Sequence, residues 1–314
     1  MGTVREKLLN KKVLETYSLI LIVLGLFIAL SVMSRAFLTP SNLLNVSRQI
    51  SINGILAIGM TFVILTGGID LSVGSVVAFC GIVSAGLIRD VGLPVLPVVA
   101  VSLVIGTIMG LLNGYFVAFW NAAPFVVTLS FMTIARGMTF VYCSGRPISP
   151  LTPEFLQIGR GDIFGLPIPA FILLLVFLAG FAILKYFRIG RYIFAVGGNE
   201  NSAIISGINV RLVKIFAYAV SGCLCGLVGI ILTSRVSAGM PQAAVSYELD
   251  AIAAAVIGGT SLSGGRGRLW GTILGALLLG IVSNGLDLLN VSSFYQQIVK
   301  GVIILGAILI DSKR

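Results

Sequence analysis

Long apolar runs separated by short polar segments make up most of the chain from about residue 16 onward. An α-helix needs about 20 mainly apolar residues to cross the hydrocarbon core of a membrane. The pattern predicts ten membrane-spanning helices, at residues 16–33, 50–67, 71–88, 94–118, 123–142, 168–187, 215–235, 249–264, 269–288 and 294–311. We therefore expect an all-α polytopic membrane protein with a single transmembrane domain, 1–314. The eighth span is short. The break at Gly67–Asp70 leaves the boundary between the second and third spans hard to place.

The composition excludes a self-contained soluble enzyme. Of the 314 residues, 57% are hydrophobic and 10% are charged, and the mean hydropathy is +1.08, whereas about 25% of residues are charged in a typical soluble domain. The chain has no histidine, the usual general base near neutral pH and a common metal ligand. The net charge of +10 comes from basic residues that flank the apolar runs, which indicates contact with membrane lipid and no nucleic-acid partner. We expect neither a catalytic group nor a metal site.

The distribution of Lys and Arg predicts the orientation of the spans. With the N-terminus inside the cell, 13 of the 21 basic residues fall on the cytoplasmic side, six on the outer side and two within spans. Because positively charged loops are retained in the cytoplasm, both termini are predicted to lie there. Two connections are then long enough to carry function, a periplasmic loop at 143–167 and a cytoplasmic loop at 188–214.

Short motifs recur in the same order in two parts of the chain. The pairs are Gly106–Gly110 with Gly271–Gly275, Asn113-Gly114 with Asn284-Gly285, Arg136-Gly137 with Lys300-Gly301, and Asp70 with Asp250. They predict a repeat of spans 2–5 and 7–10, which is inverted because one span lies between the two copies. Inverted repeats are typical of transporters, in which the pathway lies at the repeat interface.

Two helices carry glycine at every fourth position. The glycines are Gly106, Gly110 and Gly114 in span four and Gly222 and Gly226 in span seven. This spacing places them on one helix face, where small residues let membrane helices approach closely. Close helix packing is therefore predicted for both spans.

The cytoplasmic loop contains the pattern of a short, bounded helix. Asn199 suits the N-cap, Glu200 then lies at the positive end of the helix dipole, and Gly207 suits the left-handed position that ends a helix. A helix of two turns is not stable without a partner, and this one presents Ile204 and Ile205. Two interpretations stay open, a docking surface for another protein or a helix packed on the end of its own bundle.

Several motifs are shared with one transporter family. They are Gly68-Ile-Asp-Leu-Ser-Val-Gly-Ser75, Gly197-Gly-Asn-Glu200, Ser206-Gly-Ile-Asn-Val210, Tyr247-Glu-Leu-Asp-Ala-Ile-Ala253, Gly258-Gly-Thr-Ser-Leu262, and Val291-Ser-Ser with Tyr295-Gln and Ile298-Val-Lys300. Through them nearly the whole chain resembles the permease subunits of bacterial monosaccharide ABC importers, and most closely the ribose branch.

The resemblance implies a division of labour between several chains. Two permease subunits, expected to be identical, form the path through the inner membrane, two ATPase subunits bind ATP and Mg²⁺, and a periplasmic binding protein delivers the sugar. A short cytoplasmic helix of the permease enters a cleft of the ATPase. The residues that would couple this chain to the ATPase are Gly197, Gly198, Asn199, Glu200, Ser206 and Gly207.

Polar residues within the spans are candidates for the translocation pathway. They are Asp70, Asn113, Asp250 and Asn284. The alternative, hydrogen bonding from helix to helix, stays open for all four. Arg136 and Lys300 also lie inside spans, where a charge is costly, so an acid or exposed carbonyls should neutralise them.

Two other classes of protein compete with the ATP-driven importer. The first is an ion-coupled secondary sugar transporter, for which intramembrane acids would be the expected signature. The second is an integral membrane enzyme, which would need a nucleophile with a base or a metal cluster. None of the seven lysines follows the Gly-x-x-x-x-Gly pattern of a phosphate-binding loop, so the importer would draw its energy from another chain.

Overall fold

The computed structural model describes residues 19–311, and within this range the chain is almost entirely helical. The elements are α1 Leu19–Met33, α2 Pro40–Leu65, α3 Val73–Arg89, α4 Val95–Phe119, α5 Pro124–Cys143, α6 Pro153–Arg160, β1 Asp162–Ile163, β2 Leu166–Pro167, α7 Ile168–Tyr186, α8 Arg188–Gly198, α9 Glu200–Ile205, α10 Val210–Val236, α11 Tyr247–Ile257, α12 Leu269–Leu288 and α13 Ser293–Asp311. Strands β1 and β2 form one small antiparallel hairpin.

Each predicted apolar run overlaps a helix of the described range, while residues 16–18 of the first run lie outside it. Within that range, six helices are long and apolar enough to cross a membrane, namely α2, α4, α5, α7, α10 and α12. Helices α1 and α3 are shorter apolar helices. The polytopic helical architecture is confirmed, and the number of ten crossings stays a prediction.

Two helix boundaries differ from the predicted spans. Helix α2 begins at Pro40 instead of residue 50, because proline suits the first turn of a helix and the polar residues that follow interrupt the apolar run. Helix α11 ends at Ile257 instead of residue 264. There Gly258 lies directly against the backbone of Gly271 on α12, and Gly259 turns the chain with a φ of 89°.

Helix α10 is the centre of the bundle and packs against α2, α3 and α4. Its face toward α4 is built from glycines, which are Gly106, Gly110 and Gly114 on α4 and Gly222 and Gly226 on α10. A methyl group at any of them would collide with the backbone of the facing helix. The close packing predicted from the glycine spacing is therefore confirmed. Van der Waals contact of this kind holds helices together where lipid removes the hydrophobic driving force.

The other helices form two groups around this centre. Helices α3, α4 and α5 pack on one another, and α3 and α4 also contact α10. Helices α11, α12 and α13 pack on one another in the same pairwise manner, and α11 and α12 also contact α2. Helix α2 in turn packs against α10, so the two groups meet along these two long helices.

Helix α7 runs from one end of the bundle to the other. Helix α6 precedes it at one end, and α8 and α9 follow it at the other. At the α6 end, the Ser234 hydroxyl in the last turns of α10 donates a hydrogen bond to the Phe155 carbonyl at 2.7 Å. At the α9 end, the segment 258–267 meets the last turn of α2, where the Gly265 N–H donates to the Leu65 carbonyl at 3.0 Å.

Replacing Gly110 by alanine tests the contact between α4 and α10. The added methyl group would meet the Tyr218 carbonyl, so we expect the free energy of unfolding to fall by about 1–3 kcal/mol. Gly137 on α5 is the matched control, since an added methyl group there has no other atom within 4 Å. Gly137→Ala should instead stabilise its helix by up to about 1 kcal/mol. Thermal unfolding in one detergent compares the two variants, and equal shifts would contradict the packing argument.

Candidate functional site

Helix α9 has the caps that its sequence predicts. The Asn199 side chain accepts a hydrogen bond from the Ser202 N–H at 2.9 Å, and Gly207 follows the helix with a φ of 78°. The Ser206 hydroxyl donates to the Ser202 carbonyl at 2.8 Å and closes the last turn. The cap predictions for Asn199 and Gly207 are confirmed.

One face of α9 is held by the bundle and the other is free. Ala203 is buried, whereas Ile204 is 56% exposed and Ile205 is 87% exposed. The helix therefore rests on its own bundle through Ala203 and presents two isoleucines away from it. An apolar side chain in this position gains stability only when another surface covers it.

An ion pair joins α9 to α10. Both carboxylate oxygens of Glu200 accept hydrogen bonds from the Lys214 ammonium, each at 2.8 Å. Lys214 is the more buried partner, with 14% of its side chain exposed against 45% for Glu200. A movement of α9 therefore acts on the first turns of the central helix.

Three backbone segments meet at Gly197, at the end of α8. A methyl group at Gly197 would collide with the carbonyl of Leu65 at the end of α2 and with the backbone of Gly265. Gly264 and Gly265 both have a positive φ, which lets the segment 258–267 turn back against α8. At Gly198, by contrast, a methyl group would meet no other atom within 4 Å. Gly197 thus provides the close contact of α8 with α2.

A polar cavity of about 480 Å³ lies beside these contacts. It opens between the end of α2, the start of α9 and the first turns of α10. Its lining includes Thr66, Gly68, Asn201, Lys214 and Tyr218.

Asp70 is the centre of a buried cluster between α3, α4 and α10. Its Oδ1 accepts hydrogen bonds from the Ser72 N–H at 3.0 Å and the Ser72 hydroxyl at 2.6 Å, and its Oδ2 accepts one from the Ser221 hydroxyl at 3.0 Å. The Asn113 side chain donates to the Ser72 hydroxyl oxygen at 2.8 Å. Two of the four pathway candidates, Asp70 and Asn113, are therefore brought together. Among the described residues, no basic side chain pairs with Asp70.

Polar groups continue from this cluster toward the α6 end. Gly74, one turn beyond Asp70, lies against the carbonyl of Ala244 and the carboxylate of Glu248. The chain between α10 and α11 thus reaches into the bundle as far as α3. We call the series formed by the cavity, the Asp70 cluster and the Gly74 contact the polar column.

The two basic residues inside spans are neutralised in the two ways expected. The Arg136 guanidinium donates hydrogen bonds to the carbonyls of Pro241 at 2.8 Å and Ala243 at 2.9 Å. The Lys300 ammonium donates to Asp250 Oδ2 at 2.8 Å, and that carboxylate is buried. The expectation of an acid or exposed carbonyls is confirmed.

The other two pathway candidates lie in contacts between helices. Asp250 joins α11 to α13 through Lys300. Asn284 on α12 and Asn42 on α2 exchange two side-chain hydrogen bonds, at 3.0 and 2.8 Å. For these two residues the structure favours the alternative of helix-to-helix bonding.

Sequence reasoning missed three side chains of the polar column, Ser72, Ser221 and Tyr218. Ser72 lies in a motif that was recognised, but only Asp70 was selected from it. Ser221 and Tyr218 precede Gly222 by one and four positions, next to the small-residue face of α10. That face was the available signal, since a polar side chain beside it must find a partner on the neighbouring helix.

These features define a polytopic membrane protein with a buried polar column and a short, exposed helix, α9, at one end of the bundle. Residues 42–308 match the family described as branched-chain amino acid transport system / permease component. The chain belongs to this family of permeases.

Three curated relatives carry the name ribose import permease protein RbsC. The protein of Haemophilus influenzae is 47% identical over 97% of this chain and 95% of its own length. That of Bacillus subtilis is 49% identical over 93% and 92%, and that of Escherichia coli K12 is 47% identical over 96% and 94%. No solved structure matches the chain.

The ion pair between Asp250 and Lys300 predicts a compensating double substitution. Lys300→Met alone leaves the Asp250 carboxylate buried without its cation, so the free energy of unfolding should fall by about 3 kcal/mol. Adding Asp250→Asn removes the remaining charge and should recover most of that loss. Thermal unfolding in detergent compares the single and double variants. An equal loss in both would contradict the ion-pair assignment.

Proposed function

We propose that the chain is the membrane-spanning permease subunit of an ATP-driven importer that carries a monosaccharide, with ribose as the leading substrate. The observation that carries the proposal is the structure of α9. This helix is capped, presents an exposed apolar face, and is joined to α10, the helix that borders the polar column. The relatives support the substrate, because ribose permeases are 47–49% identical to this chain and a D-allose permease is 35% identical. The family description names branched-chain amino acids, whereas the names of these relatives specify sugars.

The coupling surface of this proposal is α9 with the residues on either side of it. A partner ATPase, which binds ATP and Mg²⁺, covers Ile204 and Ile205 with an apolar cleft. Asn199, Ser206 and Gly207 give α9 its bounds, and Glu200 connects it to α10. Gly197 connects it to the end of α2, and the backbone of Gly198 lies beside Gly265. Force on α9 therefore reaches two helices of the bundle.

The proposal places the chain in the bacterial inner membrane, with the α9 end and both termini in the cytoplasm. The excess of basic residues on that side of the sequence supports this orientation. The α6 end then faces the periplasm, where the loop at 143–167 receives a sugar-binding protein.

We also propose that α2–α5 and α10–α13 are inverted copies of one unit. The packing supports it, because exchanging the two units leaves the set of contacting pairs among these eight helices unchanged. Helix α4 contacts α10 and α12 contacts α2, and α3 contacts α10 as α11 contacts α2. The interface of the two units contains Asp70, and within the polar column Asp70 and Asn113 are the proposed pathway residues.

A second copy of the chain and membrane lipid complete the proposed assembly. Large apolar side chains on α4, α5 and α7 are exposed along the outside of the bundle, among them Val104, Val126 and Leu175. These faces are suited to lipid or to another apolar helix. The proposed second permease is identical to the first.

One observation favours a different function, an ion-coupled secondary sugar transporter. Asp70 is buried without a basic partner among the described residues, and intramembrane carboxylates of this kind serve proton or sodium coupling in other transporters. In the importer, Asp70 instead holds the residue that precedes α3, by accepting the Ser72 N–H and the Ser72 hydroxyl.

The energy source separates the two functions. Uptake of radiolabelled ribose by cells or vesicles with clamped ATP should persist when a protonophore or a sodium ionophore collapses the ion gradients, because hydrolysis drives the importer. Depleting ATP while the gradients are held should stop uptake. The reverse pattern would assign the chain to the secondary transporters.

Gly207→Ala tests the coupling role of α9. Alanine at a φ of 78° destabilises the end of α9 by about 1–2 kcal/mol. The ratio of molecules with an intact cap to molecules without one then falls by about 5–30-fold. We expect the reconstituted complex to hydrolyse ATP while ribose uptake falls by a similar factor. The matched control is Gly92→Ala, where φ is 70°, an added methyl group meets no other atom within 4 Å, and the position lies at the α6 end. Equal effects of the two substitutions would remove α9 from the coupling mechanism.

A further inference from the structure

An apolar groove of about 490 Å³ lies between α1, α2, α7 and α12. Its rim is exposed at Leu24 and Leu43, whereas its floor is buried at Val46 and Ile281. The groove shares no lining residue with the polar cavity. It is therefore a separate feature, open on one side to the surroundings of the bundle.

The groove has an apolar lining. Ser47 and Ser51 are the only polar residues among the described residues that form it. The Ser51 hydroxyl donates to the Ser47 carbonyl at 2.7 Å, so its proton is used within α2. A buried water needs two to four polar partners, which such a lining does not supply. The groove therefore suits an apolar occupant.

The groove extends through one half of the bundle's membrane-spanning part. On α1 it reaches back to Val23, ten positions before Met33, and on α12 to Leu277, eleven positions before Leu288. These positions are about 15 and 16 Å from the two helix ends. Both helices end on the α6 side, because α1 leads into the start of α2 there and α12 begins at the α9 end.

This depth matches one leaflet of a bilayer, since half of the hydrocarbon core is about 15 Å thick. A protein helix that crosses the membrane would need a contact surface about 30 Å long, which is about twice the depth of the groove. A lipid acyl chain instead ends near the middle of the membrane. The depth therefore favours an acyl chain over a helix of a second copy.

Two arginines lie near the mouth of the groove on the α6 side. Arg48 follows the groove residue Ser47 and pairs with Asp162 at 2.8 Å. Arg35 lies in the turn between α1 and α2, two positions before the groove residue Phe37. It is exposed and forms no ion pair within the described part of the chain. Its guanidinium is available to a lipid phosphate, which arginine binds through two parallel hydrogen bonds.

We propose that the groove binds one acyl chain of an anionic phospholipid from the leaflet on the α6 side, with the lipid phosphate at Arg35. The acyl chain fills the space between α1 and α7, whereas Leu30 of α1 packs directly against Gly285 of α12. Bound lipid therefore adds to the attachment of α1. The inference goes beyond the proposed function and does not depend on which solute the protein carries or on how transport is driven.

Photolabelling locates the acyl chain. The purified full chain is placed in phosphatidylcholine liposomes that contain a trace of phosphatidylglycerol with a diazirine in one acyl chain. Labelled residues are then identified by mass spectrometry. Labels should concentrate on groove side chains such as Val23 and Leu173. Equal labelling of the groove and of an exposed α4 residue such as Val104 overturns the proposal.

Ala170→Phe places a ring in the groove and should lower the labelling of the groove by about fivefold or more. The matched control is Ala179→Phe, at an exposed position of the same helix outside the lining, which should label like the wild type. Ala170→Leu serves as a smaller replacement if the phenylalanine variant does not fold. Unchanged labelling in a folded variant at position 170 overturns the site.

The headgroup contact is tested by comparing the phosphatidylglycerol probe with a phosphatidylcholine probe that carries the same diazirine. The wild type should prefer phosphatidylglycerol by about fivefold, and Arg35→Gln should abolish that preference. Arg146→Gln, at another exposed arginine on the α6 side, should keep it. Equal labelling of the wild type by both probes overturns the anionic headgroup.

A cysteine cross-link tests the competing occupant, a second copy of the chain. Leu24→Cys is introduced at the exposed rim of the groove, in a background without the four native cysteines. Oxidation in liposomes should give no cross-linked dimer. A disulfide between two copies at position 24 would assign the groove to protein contact and overturn the lipid site.

Discussion

The backbone contact between α4 and α10 is the constraint on which the rest of the bundle depends. Lipid does not press helices together, so two helices without side chains between them gain their stability from close van der Waals contact along several turns. This contact fixes the rotation of α10, and that rotation directs Ser221 toward Asp70 and Tyr218 toward Ile69. Both ends of α10 depend on the same placement, since Lys214 meets α9 and Ser234 meets α6.

The buried charges follow a second rule, that each must find a partner inside the bundle. The two proposed units satisfy it differently. In the second unit, Lys300 pairs with Asp250 of the same unit. In the first, Arg136 bonds to carbonyls of the chain between α10 and α11, and Asp70 is satisfied by hydroxyl and amide donors. The first unit therefore holds its acid and its base apart, and its acid, Asp70, accepts a hydrogen bond from Ser221 of the second unit.

Local chemistry made much of this structure predictable. The caps of α9 depend on residues within a few positions of each other, and the glycine spacing depends on one helix face, so both could be read from the chain. The bounds of α12 also matched, because an uninterrupted apolar run fills that helix. What could not be read was the identity of distant partners. Nothing near Asn284 indicates Asn42, more than 200 positions away, and nothing near Tyr218 indicates Ile69. For the same reason a polar residue in a span could not be assigned to the pathway or to a helix contact.

The length of α10 has a consequence for the membrane itself. The helix has 27 residues, about 40 Å, and Lys214 and Arg235 lie 21 positions apart on it, about 31 Å. That separation is close to the thickness of the hydrocarbon core, about 30 Å. A thinner or thicker bilayer forces the helix to tilt or its charged ends to leave the interface. The contacts of α9, Ser221 and Tyr218 all involve this one helix. The acyl-chain length of the host membrane's lipids therefore acts on all of these contacts at once, through the tilt of α10.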